Sequence, residues 1–428
     1  MSHHTAVIML WSCLSLLTSM PLGAAEPDSS SDWPTWRGPL RNGISLEKGL
    51  LQSWSSEGPP LVWQIDGLGK GYSSIAVADG RIYTMGRRSR PQSGTFLIAF
   101  DLKTGRELWA TPCGQGNPNC TPSVADGMVY ALGREGTLIC VNAKTGAPIW
   151  TTHFAKEFGG KMMSGWGYSE SPLLDGDRLI CTPGAKTAAL AALDRKTGNT
   201  IWTTSVADLG NRGRDGAGYS SIVVSNGGGV RQYVQMTGRG VISVAADSGK
   251  LLWNYNRIAN GTANIPTPVI SGDHVFCSTG YGTGSALLKI QPQAAAVEEM
   301  YFLNSKDLQN HHGGMILMND HIYCGHGHNQ GMPLCIELKT GKTKWRPGRG
   351  PGSGSAAIVF ADNHLYFRYE NGVIALIEAT PESYQLKGSF RMATNNGKSW
   401  PHPVIHNGKL YLRDQDALLC YNIRVEKP

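Results

Sequence analysis

The chain has 428 residues and a formal charge of +7, with few charged residues (17%) and abundant glycine (54). That length exceeds one ordinary core, so it demands either several domains or one closed array of repeats. The surplus positive charge forms no Lys/Arg block or basic helix, which argues against nucleic acid as a partner.

Residues 1–25 read as a signal peptide. Ala6 to Leu17 is apolar, and Gly23-Ala24-Ala25 supplies the small residues a signal peptidase needs. The positive region is atypical, with only His3 and His4 beside the terminal amine. The apolar run is too short to span a bilayer, so no membrane span is expected after cleavage. The expected location is periplasmic or extracellular. Cys13 lies inside the apolar run, and no cysteine follows it where a lipid would attach. Residues 26–60 read as a lead-in segment, and 61–428 as the repeat domain.

One phrase returns through that domain. It reads Asp101-Leu-Lys-Thr-Gly105 and closes on Trp109. It recurs as Asn142 to Gly146 with Trp150, Asp194 to Gly198 with Trp202, Asp247 to Gly249 with Trp253, and Glu337 to Gly341 with Trp345. Before each phrase comes an apolar run such as Ser73 to Ala78. A turn dipeptide follows it: Asp79-Gly80, Asp126-Gly127, Asp175-Gly176 or Asn407-Gly408. Such dipeptides suit tight hairpins because both central residues take positive φ. An alternating strand such as Arg81 to Met85 and a third strand such as Thr95 to Phe100 complete the unit. Four antiparallel strands in about 45 residues make one propeller blade.

Counting needs the degenerate copies. Trp63 starts the series, Tyr301 falls where one tryptophan is due, and Phe390 or Leu386 stands in for the eighth. The last strands, Pro403 to Ile405, Lys409 to Leu412 and Ala417 to Asn422, have no closing tryptophan after them. Leu61 to Ile65 must therefore supply the fourth strand of that blade and shut the ring. The fold expected is all-β, an eight-bladed propeller. Seven blades is the alternative, because Gln291 to Glu299 has lost the turn signature. Trp63, Trp109, Trp150, Trp202, Trp253 and Trp345 are assigned structural roles between blades.

Export permits disulfides. Cys181, Cys277 and Cys324 recur at one place in the repeat, and Cys140, Cys335 and Cys420 at another, which reads as small buried core. Two pairs are disulfide candidates. Cys113 and Cys120 bracket a Gly/Pro/Asn loop, and Cys324 and Cys335 are expected to face each other across a hairpin.

The pattern S-P-x-V-x-D-G-x-V-Y followed by D-x-K-T-G-x-x-x-W resembles the pyrroloquinoline-quinone (PQQ) type propeller repeat, from Leu61 to Tyr421. That family includes quinoprotein alcohol dehydrogenases and the propeller lipoprotein of outer-membrane-protein assembly. Asp32-Trp-Pro-Thr-Trp-Arg-Gly38 with Arg41-Asn-Gly43 is similar to the lead-in of exported PQQ-like proteins, some of them polyvinyl-alcohol dehydrogenase-like. The resemblance implies PQQ with calcium as the cofactor to test. Against it, no two cysteines are adjacent as in the dehydrogenases, and no Cys-x-x-Cys-His haem motif is present. The calcium ligands of those enzymes match no positions of this chain.

In a propeller, the loops leading into the blades share one face with the loops between second and third strands, around the channel mouth. These loops bring Lys70, Tyr72, Trp166, Tyr168, Arg212, Arg214, Tyr219, Asn264, His311, His312, Trp400 and His402 to that face. The partner loops add Tyr281, His326, His328, Asn329, Arg368, Glu370 and Arg413. Trp166 and Trp400 fall outside the repeat, so blade packing does not account for them. Aromatics with Arg, Asn and His suit a flat polar ligand. His326 and His328, spaced His-x-His, are weak metal candidates. No Gly-x-Ser-x-Gly elbow is present for a hydrolase.

Three functions follow in order. The first is a non-catalytic exported propeller binding a small molecule, glycan or protein on this face. The second is a PQQ-dependent oxidoreductase acting on an alcohol, polyvinyl alcohol or sugar, with Glu170 or Asp215 as general base. The third is a scaffold for outer-membrane-protein assembly.

Overall fold

Asp101 shows why the repeated phrase turns the chain. Its carboxylate accepts hydrogen bonds from the Thr104 amide (2.7 Å), the Thr104 hydroxyl (2.7 Å) and the Lys103 amide (3.2 Å). Asn142 and Asp194 do the same in the next two copies. The glycine that ends the phrase has a second duty. A Cβ on Gly146 would stand 2.6 Å from Trp109 of the preceding blade, and one on Gly198 would stand 2.8 Å from Trp150. The indole N–H of Trp109 then donates to the Ala143 carbonyl (3.1 Å), and that of Trp150 to Arg195 (2.9 Å). These two tryptophans are rivets, each with its face on the next blade's glycine and its N–H on the next blade's turn, whereas the Trp253 N–H donates to Gln232 of its own blade (2.8 Å).

The computed structural model describes Met1 and residues 32–426, so the signal-peptide reading falls outside the described residues apart from Met1 itself. Eight four-stranded antiparallel sheets form the ring. Blade 1 runs from Ala76 to Pro112, and blades 2 to 7 follow in chain order. Blade 8 is composite, with Leu61–Ile65 pairing against Ala417–Asn422. Eight blades therefore replace the seven-blade alternative. The segment Gln291 to Glu299 makes a short turn and blade 5 is complete around it. Tyr301 takes the tryptophan place there, with its hydroxyl donating to Leu338 (2.6 Å) and its ring lying against Gly341.

Four expectations need correction. Neither Phe390 nor Leu386 replaces the eighth tryptophan. The residue in register with the others, opposite Leu376 at the bulge, is Gly388. Trp54 of the lead-in fills the space that this glycine leaves. It packs edge-on to Tyr366 (5.5 Å) and Phe390 (5.4 Å), much as Trp109 meets Tyr83. Asp175-Gly176 is shifted by one, because Asp175 pairs with Arg178 and leaves Gly176 and Asp177 as the turn. Cys324 pairs with Leu334 and Cys335 with Tyr323, so the two thiols point to opposite faces of the sheet. Cys113 and Cys120 are both buried free thiols: the Cys113 thiol lies 3.9 Å from the Thr137 carbonyl, and the Cys120 sulfur accepts from the Leu132 amide.

The lead-in is a plug across the ring rather than a tail. Trp33 pairs its backbone with Val77 in blade 1. Pro34 accepts from Val124 in blade 2, and Gly43 and Ser45 bond Phe360 in blade 7. Arg41 donates to Ser171 (2.7 Å) and Pro172 (3.1 Å) of blade 3 and to Ile222 (3.0 Å) of blade 4. Arg37 donates to the Met315 carbonyl of blade 6.

Candidate functional site

The inner strands begin in a belt of hydroxyls. The Ser74 amide donates to Thr121 Oγ1, the Thr121 amide to Ser171 Oγ, the Ser171 amide to Ser221 Oγ and the Ser221 amide to Thr267 Oγ1, each at 3.0–3.1 Å. The belt makes the channel wall polar yet self-satisfied. Trp36, carried on the plug, lines the channel at this level, with the Arg37 and Arg41 guanidiniums 5.4 and 6.0 Å from its ring. On the far side of the plug a separate hollow is lined by Pro39, Leu40 and the outgoing ends of inner strands such as Leu173 and Val223.

Above Trp36 lies a cavity of about 260 Å³. It brings together Tyr72, Trp166, Tyr219, Tyr281, His311, His312, His328, Asn329, Trp400 and His402 from the residues singled out in the sequence. Tyr72 stacks on Trp400 at 4.4 Å, and Trp166 meets Trp400 edge-on at 6.2 Å. Trp166 is 52% exposed, yet its backbone is held by Asn119 and the Tyr219 hydroxyl. Tyr281, His311 and His328 form a second aromatic wall, with ring centroids 4.1–5.4 Å apart. His311 bridges the Tyr281 hydroxyl (3.2 Å) and Ser355 (2.7 Å).

The imidazoles are neutral. Burial pushes the pKa of His312 and His402 down to about 3, reinforced by His402 beside His312 and by Arg37 beside His402. Burial, then His312 and His328, push His311 to about 2. Lys398 contributes an ammonium 5.2 Å from the Trp400 ring, with no ion pair among the described residues. No Asp or Glu among the described residues lines the cavity.

The other sequence candidates lie elsewhere. Arg368 is fully buried and bonds Pro401 (2.7 Å), Ser399 and the Arg413 carbonyl. Arg413 ties blade 8 to blade 1 through Ser73, Thr84, Met85 and Gly69. Asn264 is buried on the carbonyls of Thr237 and Gly238. Tyr168 bonds Pro183, and His326 accepts from the Gln309 amide. Lys70, Arg212 and Arg214 are exposed outside the cavity, and Glu370 lies behind Gly354. Glu170 is buried behind the belt and takes hydrogen bonds from the Thr182 amide (2.7 Å) and hydroxyl (3.0 Å). Burial raises its pKa to about 8 despite Arg41. Asp215 pairs with Arg239 (2.7 Å) beside a different, smaller cleft. His326 Nδ1 accepts from the Gln309 backbone amide and His328 Nδ1 from that of Tyr281, and no group of three or more His, Cys, Asp or Glu among the described residues could hold a metal ion.

Sequence reasoning missed Trp36, Lys398, Asn119 and the hydroxyl belt. A signal for the belt existed, since a hydroxyl precedes proline at Thr121-Pro122, Ser171-Pro172 and Thr267-Pro268. Nothing local marked Trp36, because its place depends on the plug crossing the ring.

A family profile described as outer membrane protein assembly factor BamB matches residues 92–347, more than half of the chain. The chain belongs to that family. A BamB of Salmonella typhimurium is 30% identical over 132 residues, 29% of this chain and 30% of that protein. One from Shewanella oneidensis is 23% identical over 269 residues, 59% of this chain and 62% of that protein. The chain thus spans less than a third of the Salmonella relative and under two thirds of the Shewanella one. BamB from Moraxella catarrhalis superposes with a TM-score of 0.61 at 14% identity, over 85% of this chain and 99% of that one. Quinohemoprotein alcohol dehydrogenase from Comamonas testosteroni gives 0.63 at 12% identity, over 93% and 81%. At such identities these likenesses carry the fold alone.

The cavity does not fit PQQ held by calcium. Calcium takes several oxygen ligands, carboxylates foremost, and the lining offers none of these acids. A quinone with several carboxylates would meet one ammonium and a set of neutral imidazoles.

Proposed function

We propose that the chain is an exported, non-catalytic recognition propeller whose axial cavity holds a small, flat, polar ligand. The observation that carries this reading is the lining itself. Aromatic faces, neutral imidazoles and amides converge above Trp36, and among the described residues no carboxylate lines the cavity to act as acid, base or calcium ligand. Aromatic walls with a few placed polar groups are what a small-ligand site requires. Tryptophan fluorescence tests it: a saturable change on ligand addition in the intact protein, lost in Trp166→Ala, is expected. A ligand response that Trp166→Ala leaves untouched contradicts it.

Family membership favours a second reading, a factor in assembling outer membrane proteins. Deleting the chain from its host separates the two. Depleted outer-membrane proteins support assembly, and an unchanged set supports recognition of a soluble ligand.

A further inference from the structure

We infer that the ligand of the axial cavity is the end of an acidic glycan, a single pyranose-sized ring bearing one carboxylate. This rests on the reading of that cavity as a binding site. Size comes first. At about 260 Å³ the cavity falls just below the ~300 Å³ lower end of ordinary small-molecule sites. The lead-in crosses the ring beneath the cavity and places Trp36 at its floor, so an end enters from the loop side.

The faces come second. Trp166 is half exposed but rigidly held, and it stands edge-on to Trp400. A fixed, exposed indole offers a flat apolar surface to the C–H face of a sugar. Around it, the indole N–H groups of Trp36 and Trp166, the Tyr72 hydroxyl and the amide N–H₂ of Asn329 make no hydrogen bond among the described residues, although all four residues line the cavity. Such a set of uncommitted donors suits ring hydroxyls and a carboxylate.

Charge decides the rest. Lys398 is exposed at the mouth and has no acidic partner among the described residues. Beneath the floor Arg37 and Arg41 bond carbonyls and no carboxylate, and both remain cationic at neutral pH. No acid among the described residues lines the cavity, so the Lys398 ammonium at its mouth and the two guanidiniums beneath it favour an anion, with Glu370, which acts on Tyr72 from behind the lining, opposing them. One accessible ammonium matches one carboxylate. Lys398 would then set specificity by choosing an acidic ring over its neutral parent.

Calorimetry on the full mature protein tests this, with methyl glucuronide and methyl galacturonide against methyl glucoside and methyl galactoside. The uronides are expected to bind at least about tenfold tighter than their neutral parents, the effect of one charge-assisted hydrogen bond. In Lys398→Gln that preference should vanish, with each uronide falling to the affinity of its neutral parent. Trp166→Ala should weaken all four. Equal binding of neutral and acidic sugars, or a preference that survives Lys398→Gln, overturns the inference yet leaves the cavity a binding site. If no sugar binds, the acidic-glycan inference falls. If PQQ and the sugars alike leave tryptophan fluorescence unchanged, the reading of the cavity as a binding site falls with it.

Discussion

Truncating Trp54 to alanine removes a tryptophan that no repeat register predicts. The side chain is 9% exposed and sits over Gly388, between Tyr366 and Phe390. Gly388 has no side chain to fill the space, so the cavity left behind cannot collapse easily. A buried Trp→Ala change costs ~3–5 kcal/mol. Unfolding entropy near 2.1 cal/mol/K per residue over roughly 400 residues converts this to a fall in Tm of ~4–6 °C. Trp150→Ala, the same change at a regular rivet, should fall by a similar amount. Phenylalanine separates the two positions. Trp54 Nε1 has no hydrogen-bond partner among the described residues, whereas Trp150 Nε1 donates to the Arg195 carbonyl. Trp150→Phe should therefore cost about 0.5–1.5 kcal/mol more than Trp54→Phe. Thermal scans with urea titrations check this. A Trp54→Ala protein with wild-type Tm would refute the claim that the lead-in supplies the eighth rivet.

The pH dependence has two opposed parts. Glu170 has its pKa raised to about 8 by burial, above its ordinary 4.5, so its contribution is complete below pH 4.5 and is lost as pH rises through 8. Glu170→Gln, whose amide oxygen can accept from the Thr182 amide while its N–H₂ donates to the Thr182 hydroxyl, should match wild type near pH 4.5 and exceed it at pH 9 in urea midpoint. His312 and His402 act in the opposite sense. Their lowered pKa near 3 means stability that is present above pH 6.5 and falls as pH drops toward 3, by up to about 1.4 kcal/mol per unit for each. A His312→Gln, His402→Gln double variant should flatten that acid limb, and a limb unchanged in slope would contradict the neutral-imidazole assignment. Gly146→Ala and Gly80→Ala both place alanine at positive φ, but only Gly146 has a ring within 3 Å. Gly146→Ala should lower Tm further, and equal losses would show that Trp109 does not bear on this glycine.

The repeat phrase made the blades legible because it couples a turn acid, a left-handed glycine and an aromatic, each with one physical task. Ring closure at Leu61–Ile65 followed from counting those tasks. Gly388 escaped because its aromatic comes from about 330 residues earlier in the chain, at Trp54, and no local pattern links them. The candidate site was half legible. Trp166 and Trp400 stood out as aromatics that break the period, and the structure brings both to the cavity. Arg368 and Arg413 carried the same surface-loop signature, yet their long guanidiniums turn inward to backbone carbonyls and knit neighbouring blades. Sequence position cannot tell a ligand-facing arginine from one that satisfies buried carbonyls, because the partners are distant in the chain.

The most direct measurement is a titration of the purified mature protein with PQQ and calcium beside the uronide panel, following tryptophan fluorescence and dye reduction with alcohols and aldoses. The account predicts a saturable response to uronide that Trp166→Ala removes, and no dye reduction at any PQQ concentration. Stoichiometric quinone binding with turnover would contradict it.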